Sequence, residues 1–382
     1  MATRIKRSLF IGLGGTGMTS LLHTKKMFID TYGDVPPMIG FLGIDTDGGA
    51  YNKGVTGKSG EKITLSPNEQ LPITVKDARP IYDVNRSRLT WLPEKNLYAL
   101  TGMTLGAGMV RSNGRFAFTV NHEKVARKVR EMLTSISNAS ISSDDRYELI
   151  SNTTNIYLIF SIGGGTGCGT FINMAYLLRK EAPECKLTAY AVLPDVFKAM
   201  AQQSMPRVRP NAYGAIVDLD YLMSMSFSDE PFTLEYLGND SYDIRERPFN
   251  SVILVDNRNE NGDAYTHVDQ LAEMISLGLV TSAGELSDAA NSMSDNLEKD
   301  ISNGEMDIRG KKAWAAGMGV CEIIYRSSDL SRYYSMKAAK HVIEQMLNSC
   351  EDADAIANNW IDSVNIRENE GCDNVIDFIC GK

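Results

Sequence analysis

The residues in this sequence best suited to chemistry are glycines. Residues 161–170 read SIGGGTGCGT, five glycines and two threonines directly after the apolar run NIYLIF. Successive glycines expose backbone N–H groups at a helix N-terminus, where those groups and the helix dipole favour an anion, and threonine hydroxyls add donors. Gly163, Gly164, Gly165, Thr166, Gly167 and Gly169 thus form a candidate phosphate cradle. A second loop, IGLGGTG, fits G-x-G-x-x-G through Gly12, Gly14 and Gly17 and encloses Gly15 and Thr16. Taken alone it reads as a dinucleotide-binding turn, which would make the chain an NAD-dependent oxidoreductase. A dinucleotide fold needs one such turn, so two of them point to a longer or unusual polyphosphate. A tight turn with close helix–strand packing competes with the phosphate reading at either loop. GKS at 57–59 is no third cradle, because Asn52 stands where a P-loop needs its leading glycine and no strand precedes it.

Loops of this kind must be held at the ends of strands. SLFIGL, MIGFLGI, NIYLIF, LTAYAVL and NSVILV read as buried parallel strands, and between them GMTSLLHTKKMF, NHEKVARKVREML and FINMAYLLRKEA have helical spacing. That alternation predicts an α/β fold with a doubly wound, mostly parallel sheet, whose ligands sit at the carboxyl ends of the strands. The 382 residues, 43% of them hydrophobic, suffice for one large or two ordinary domains. A formal net charge of −9 argues against direct partnership with nucleic acid or an anionic membrane. No apolar stretch approaches the roughly 20 residues a bilayer requires, and glycines interrupt the apolar opening segment, so a cytoplasmic location is expected. The six cysteines are scattered without zinc-site pairing, and the four histidines lack a nucleophile or ligand spacing. Residues 284–310 are polar and acidic and read as a junction before a smaller α+β domain.

Tyr265 and Asp269 stand four residues apart, a spacing that places both on one face of a helix. Asn257 stands in DNRNENG, a run rich in turn formers.

On these residues the chain resembles the tubulin/FtsZ superfamily of GTPases. Residues 163–169 match its G-G-G-T-G-[ST]-G motif with Cys168 in the variable place. FLGIDTDGGAYNK resembles the bacterial NTDAQAL loop, which implies that Asp45 and Asp47 lie at the Mg2+-bound end of the phosphates. LGAGMVRSNGRFAF resembles the loop whose Gly106, Ala107 and Gly108 would lie against a γ-phosphate. RPNAYGAIVDLDYL resembles the segment that would bring Arg209 toward the ribose, and LVDN resembles CIDN, making Asn257 a guanine contact. AYTHVDQLAEMISLGLV resembles the long core helix, which implies that Tyr265 stacks on the base and Asp269 reads it. A carboxylate together with the amide of Asn257 would match the N1–H and amine donors and the O6 acceptor of guanine, with a packed aromatic, a capping carboxylate and a turn residue as the plain alternatives. The likeness runs over about residues 8 to 284 and implies GTP/GDP and Mg2+ as ligands.

The resemblance also implies a division of the chain into a guanine-nucleotide-binding domain (1–263), a core helix (264–284), and an acidic junction with a partial or reduced second domain (285–382). KKAWAAGMGVCEIIY would open that second domain. Too few residues follow to complete it, which implies a truncated chain, a fragment of a longer protein or a reduced variant. In this family the pocket of one subunit is completed by carboxylates of the next, so the partner is another copy, stacked head to tail into a filament. Asp295 and Glu298 in SDNLEKDI are the candidates for that role, with Asp288 and Glu285 as alternatives, since no clean family motif stands there. A switch or scaffold that binds GTP, recruits a protein adaptor and never polymerises is the other reading.

Overall fold

The computed structural model describes residues 2–92, 94–139, 146–200, 202–224, 232–237, 240–259, 261–284, 287, 296, 299, 314–320, 327–347 and 353–363. Contacts divide the chain into two units, Met1–Val320 and Cys321–Lys382. In chain order the first holds β1 (Thr3–Ile5), β2 (Ser8–Leu13), α1 (Gly14–Tyr32), β3 (Ile39–Asp45), β4 (Val55–Thr56), β5 (Lys62–Ile63), β6 (Gln70–Pro72), α2 (Ala78–Val84), α3 (Arg111–Ser137), β7 (Tyr147–Leu149), β8 (Asn155–Ser161), α4 (Thr166–Glu181), β9 (Lys186–Val192), α5 (Phe197–Met200), α6 (Met205–Ser224), β10 (Phe232–Glu235), β11 (Ser241–Ile244), β12 (Ser251–Val255), α7 (Val268–Ala283) and β13 (Ala316–Gly317). In the second, helices span Ser327–Leu347 and Ala353–Ser363.

The five expected strands all form, within a residue of their apolar runs, and every residue of β2, β3 and β8 is buried. Strands covered on both faces need no polar alternation, which is why the runs read as continuously apolar. They lie in one seven-stranded sheet of order β13-β12-β9-β8-β2-β3-β6, with every neighbouring pair parallel. From β2 the chain winds outward through β3 to β6. It then returns to β8 on the other side of β2 and winds outward again. The switch between the two halves lies between β2 and β8, whose ends are in register, Leu13 opposite Phe160. An open α/β sheet has its crevice at such a point.

Alternate residues feed two cores. Leu9, Ile11 and Leu13 join Phe116 and Phe118 of α3, Met174 of α4 and Leu219 of α6 on one face. On the other, Phe10 joins Leu21 of α1 and Leu271, Ile275 and Leu279 of α7. Phe10 stacks on Phe41 and Tyr157 with ring centroids 5.5 and 5.1 Å away. Fully burying each such side chain contributes about 2 kcal/mol. The helices on each face are thereby fixed relative to the loops that precede them.

Two expectations need correction. Residues 316–317, expected to open a second domain, extend this sheet as β13 beside Ile253 and Leu254. The core helix starts at Val268 rather than 264, because Gln270 Oε1 accepts the backbone N–H of His267 at 3.2 Å and caps the helix there.

Candidate functional site

The loops that leave β2 and β8 meet at the switch point. Gly14, the first residue of α1, has φ of 69°, a left-handed conformation that glycine adopts at little cost. A Cβ there would lie 3.0 Å from the amide nitrogen of Gly167, so the two loops are in contact. Their glycines fall into two kinds. A Cβ on Gly12 would lie 2.5 Å from the carbonyl oxygen of Gly17, one on Gly17 2.5 Å from that of Ile159, and one on Gly167 2.8 Å from that of Leu13. These positions are glycine because helix and strand backbones touch. Gly15 and Gly164 have nothing within 4 Å of the position a Cβ would take, and packing does not account for them. They form the open part of the cradle.

A third loop closes on the second. Gly106 and Gly108 have φ of 99° and 62°, and Met109 has φ of 56°, the one positive value for a non-glycine among the described residues. Such backbone costs about 1 kcal/mol or more and persists where its surroundings enforce it. Asn211 of α6 does so: its Nδ2 donates to the carbonyls of Met109, Gly163 and Gly164 at 3.0, 3.1 and 3.3 Å. Asn113 Nδ2 donates to Ala107 O at 3.3 Å, and a Cβ on Gly165 would lie 2.9 Å from that of Ala107. Arg207 donates to Gly108 O at 3.1 Å. Arg209, expected toward a ribose, is exposed two positions further along α6. Neither Asn211 nor Arg207 is distinguishable in the sequence, since their acceptors are backbone carbonyls remote in the chain.

The loop after β3 joins the same cluster. Gly48 N donates to Thr104 O at 3.1 Å, and Asp47 bridges to Leu105. Asp45 is 4% exposed. Its Oδ1 accepts from Thr166 Oγ1 at 3.1 Å and from Asp47 N at 3.3 Å. Burial raises the Asp45 carboxyl above the usual carboxylate range, with these hydrogen bonds opposing the shift. Thr166 Oγ1 also lies 2.6 Å from Thr46 Oγ1. The Thr166 hydroxyl, expected as a donor to phosphate, therefore donates to Asp45 in this structure, while Thr16 stands in the first turn of α1. Cys168 is buried, its Sγ 3.5 Å from Asn211 O, and Gly163 and Gly169 pack against Val208 and α3. Asp47 is partly exposed and accepts Gly49 N at 2.9 Å. Among the described residues no three His, Cys, Asp or Glu side chains converge to hold a metal.

The base-reading candidates sit beyond β12. Asn257 is 8% exposed, donates from Nδ2 to Tyr265 O at 3.1 Å, and its own carbonyl accepts Tyr265 N at 2.7 Å. That exchange closes the loop 257–265. The Asn257 Oδ1 is buried with no partner among the described residues, an acceptor left free for a donor from outside. Tyr265 precedes the helix cap at His267, so the one-face argument from its spacing to Asp269 fails; the loop, not a helix, positions its ring. Asp269, 68% exposed at its side chain, accepts from or pairs with His23 Nε2 at 3.3 Å. His23, a histidine given no role from the sequence, is buried on α1 and also lies 3.9 Å from Glu273. The acidic candidates Asp295, Glu298, Asp288 and Glu285 lie outside the described residues. No helix among the described residues is long and apolar enough to cross a membrane.

A family model described as tubulin like matches residues 9–344. No curated protein matches the chain. Solved structures similar to it include CetZ from Methanosaeta thermophila, at 14% identity and a TM-score of 0.39, covering 72% of this chain and 53% of that one. A GTPγS-form protofilament of TubZ from Bacillus thuringiensis serovar israelensis gives 14% identity, a TM-score of 0.39, and coverage of 74% and 57%. An empty FtsZ dimer from M. jannaschii gives 15%, 0.39, and 74% and 56%. The chain thus spans little more than half the length of these proteins.

Proposed function

The chain belongs to the tubulin-like family, and from that premise we propose that its cradle binds GTP and GDP with Mg2+, that copies assemble head to tail into filaments, and that GTP is hydrolysed where they meet. The observation that carries the nucleotide reading is the convergence of three glycine loops at the switch point, with Gly15 and Gly164 open where packing demands nothing. Backbone amides there, at the starts of α1 and α4, are suited to two ends of a polyphosphate. Thr16 and the Gly106–Gly108 turn would close round its terminal group. Asp45 and Asp47 would hold magnesium, which takes one or two carboxylates and completes its shell with water and phosphate oxygens. The bound ion would neutralise phosphate charge and relieve the burial of Asp45.

The free acceptor of Asn257, used with the Asp269 carboxylate, favours guanine, whose N1–H and amine are adjacent donors, over adenine, whose one amine stands beside an N1 acceptor. Tyr265 would stack on the base, Asp269 would add a second acceptor, and Arg209 would face the ribose. For hydrolysis, Asp295 and Glu298, or Asp288, would position the attacking water in the pocket of the neighbouring copy, a task of positioning and electrostatics.

Calorimetric titration of the full chain with GDP, ATP and NAD tests the first step. GDP binding at least about tenfold tighter than ATP is expected, and NAD as the preferred ligand overturns the reading. Phosphate release from GTP, measured against protein concentration, tests the second. Turnover per subunit should rise with concentration and fall in Asp295→Ala, and constant turnover removes assembly from the mechanism. Mixing Asp295→Ala with a Gly164→Ala pocket variant should restore part of the rate if the carboxylate acts across the contact. GTP binding without turnover or light scattering at any concentration would leave a switch.

A further inference from the structure

A cavity of about 620 Å³ opens between α3, α4 and α6, with Gly169 in its lining. That volume lies in the range of small-molecule sites. Ile172, Leu222 and Leu234 supply an apolar wall, and the ring of Trp91 closes one side. The polar groups in it are unbalanced. Asp218, the acidic side chain in the lining, is bonded to Arg111, whose Nε also donates to Cys168 O at 3.1 Å. Arg115 makes no hydrogen bond or ion pair among the described residues: its guanidinium lies over the Trp91 ring at 4.1 Å from the centroid, and Asp218 acts on it only at longer range. Burial lowers it to about 10, which leaves it charged at neutral pH.

Two further donors share this surplus. Asn173 is 4% exposed and accepts Tyr236 OH at 3.2 Å through Oδ1, and its amide N–H groups have no acceptor among the described residues. The Trp91 Nε1–H is buried and likewise unpaired. The indole N–H is the buried one of the three, and an unpaired buried donor costs about 1 to 3 kcal/mol, while the half-buried Arg115 and the Asn173 side chain line the cavity itself.

We propose that this cavity is a second ligand site, which takes a small planar organic acid with its acid group against Arg115 and its apolar body between Trp91 and Leu222. A planar guanidinium fork offers paired donors to a carboxylate, and its stacking on Trp91 fixes the plane in which they point. The site does not rest on the guanine-nucleotide reading: the backbone of Arg115 packs against Gly169, but the group that the proposal uses is its guanidinium, which lies over Trp91.

The test titrates the full chain with 2-naphthoate and with the neutral 2-naphthylmethanol by calorimetry. The acid should bind about tenfold more tightly than the alcohol, in the presence of saturating GDP as well as without it. Arg115→Met, which keeps the stem over Trp91, should bring the acid down to the affinity of the alcohol and leave the alcohol unchanged, and Arg115→Lys should recover part of the difference. Leu222→Trp should block both, with circular dichroism verifying that each variant is folded. Equal affinity for acid and alcohol, an acid affinity indifferent to Arg115→Met, displacement of the acid by GDP, or no binding of the acid up to about 1 mM would each overturn the proposal.

Discussion

The two ends of the candidate nucleotide site are built from different materials. The phosphate end is backbone: three loops pressed together at the end of a parallel sheet, with Asn211 and Asn113 tying their carbonyls. The base end is side chains on one loop and one helix, where Asn257 is buried but Asp269 is largely exposed. A backbone cradle is set by the fold and fails only when the fold is disturbed or an amide is obstructed. A side-chain reader is set by a few hydrogen bonds and fails one bond at a time. Substitutions at the first end should therefore change stability or affinity for every nucleotide, and those at the second should change the choice of base.

The largest effect separates the two kinds of glycine. Gly17→Ala drives a methyl into the Ile159 carbonyl and should cost about 3 kcal/mol in chemical denaturation, whereas Gly164→Ala meets open space and should stay within about 0.5 kcal/mol while weakening GDP and ATP alike. Equal stability of the two variants would dissolve the distinction. Next comes Asp45→Asn, which should lower the gain in GDP affinity from magnesium about tenfold. Its effect on stability has the opposite sign. Because the folded carboxyl is raised, its stabilising share is complete at acid pH and is lost as pH rises from the ordinary carboxylate range through the folded value. Without ligand or metal, Asp45→Asn should therefore be more stable than the parent at pH 7, and that advantage should vanish below the ordinary carboxylate range. Thermal melts at the two pH values check it.

At the base end, Asn257→Ala removes both the free acceptor and the bond to Tyr265, and should weaken GDP about fivefold while leaving inorganic pyrophosphate unaffected. The smallest expected change is for Asp269→Ala. Being exposed and paired with His23, it should reduce the preference for GTP over ATP about threefold and move stability by less than about 0.5 kcal/mol. Loss of affinity for all nucleotides in that variant would make the base end structural rather than selective.

The same contrast explains what could be read in advance. The five long strands were legible because double-sided burial requires unbroken apolar runs, and the loops because glycine has few reasons to cluster after a strand. β6 and β13 were not: three residues and two residues carry no period, and their place depends on which edge is open. At the site, glycine identity marked the loops but not which of them are open, since Gly15 and Gly17 differ only in what lies across from them. The spacing of Tyr265 and Asp269 predicts one helix face, and a cap at His267 that the spacing does not reveal separates them. Asn211, His23 and Arg115 owe their interest to partners more than 20 positions away in the chain, which no local pattern records.

Cys168 makes the cradle observable from within. A thiol in the first turn of a helix ordinarily ionises easily, but burial pushes this one up to about 12, so in the closed state it is almost wholly protonated at neutral pH and out of reach of an alkylating reagent. Iodoacetamide can reach it only when the packing round α4 opens. The rate at which the peptide carrying Cys168 is labelled, read by mass spectrometry, then follows that opening. A ligand that holds the start of α4 in place should slow the labelling, whatever the ligand proves to be.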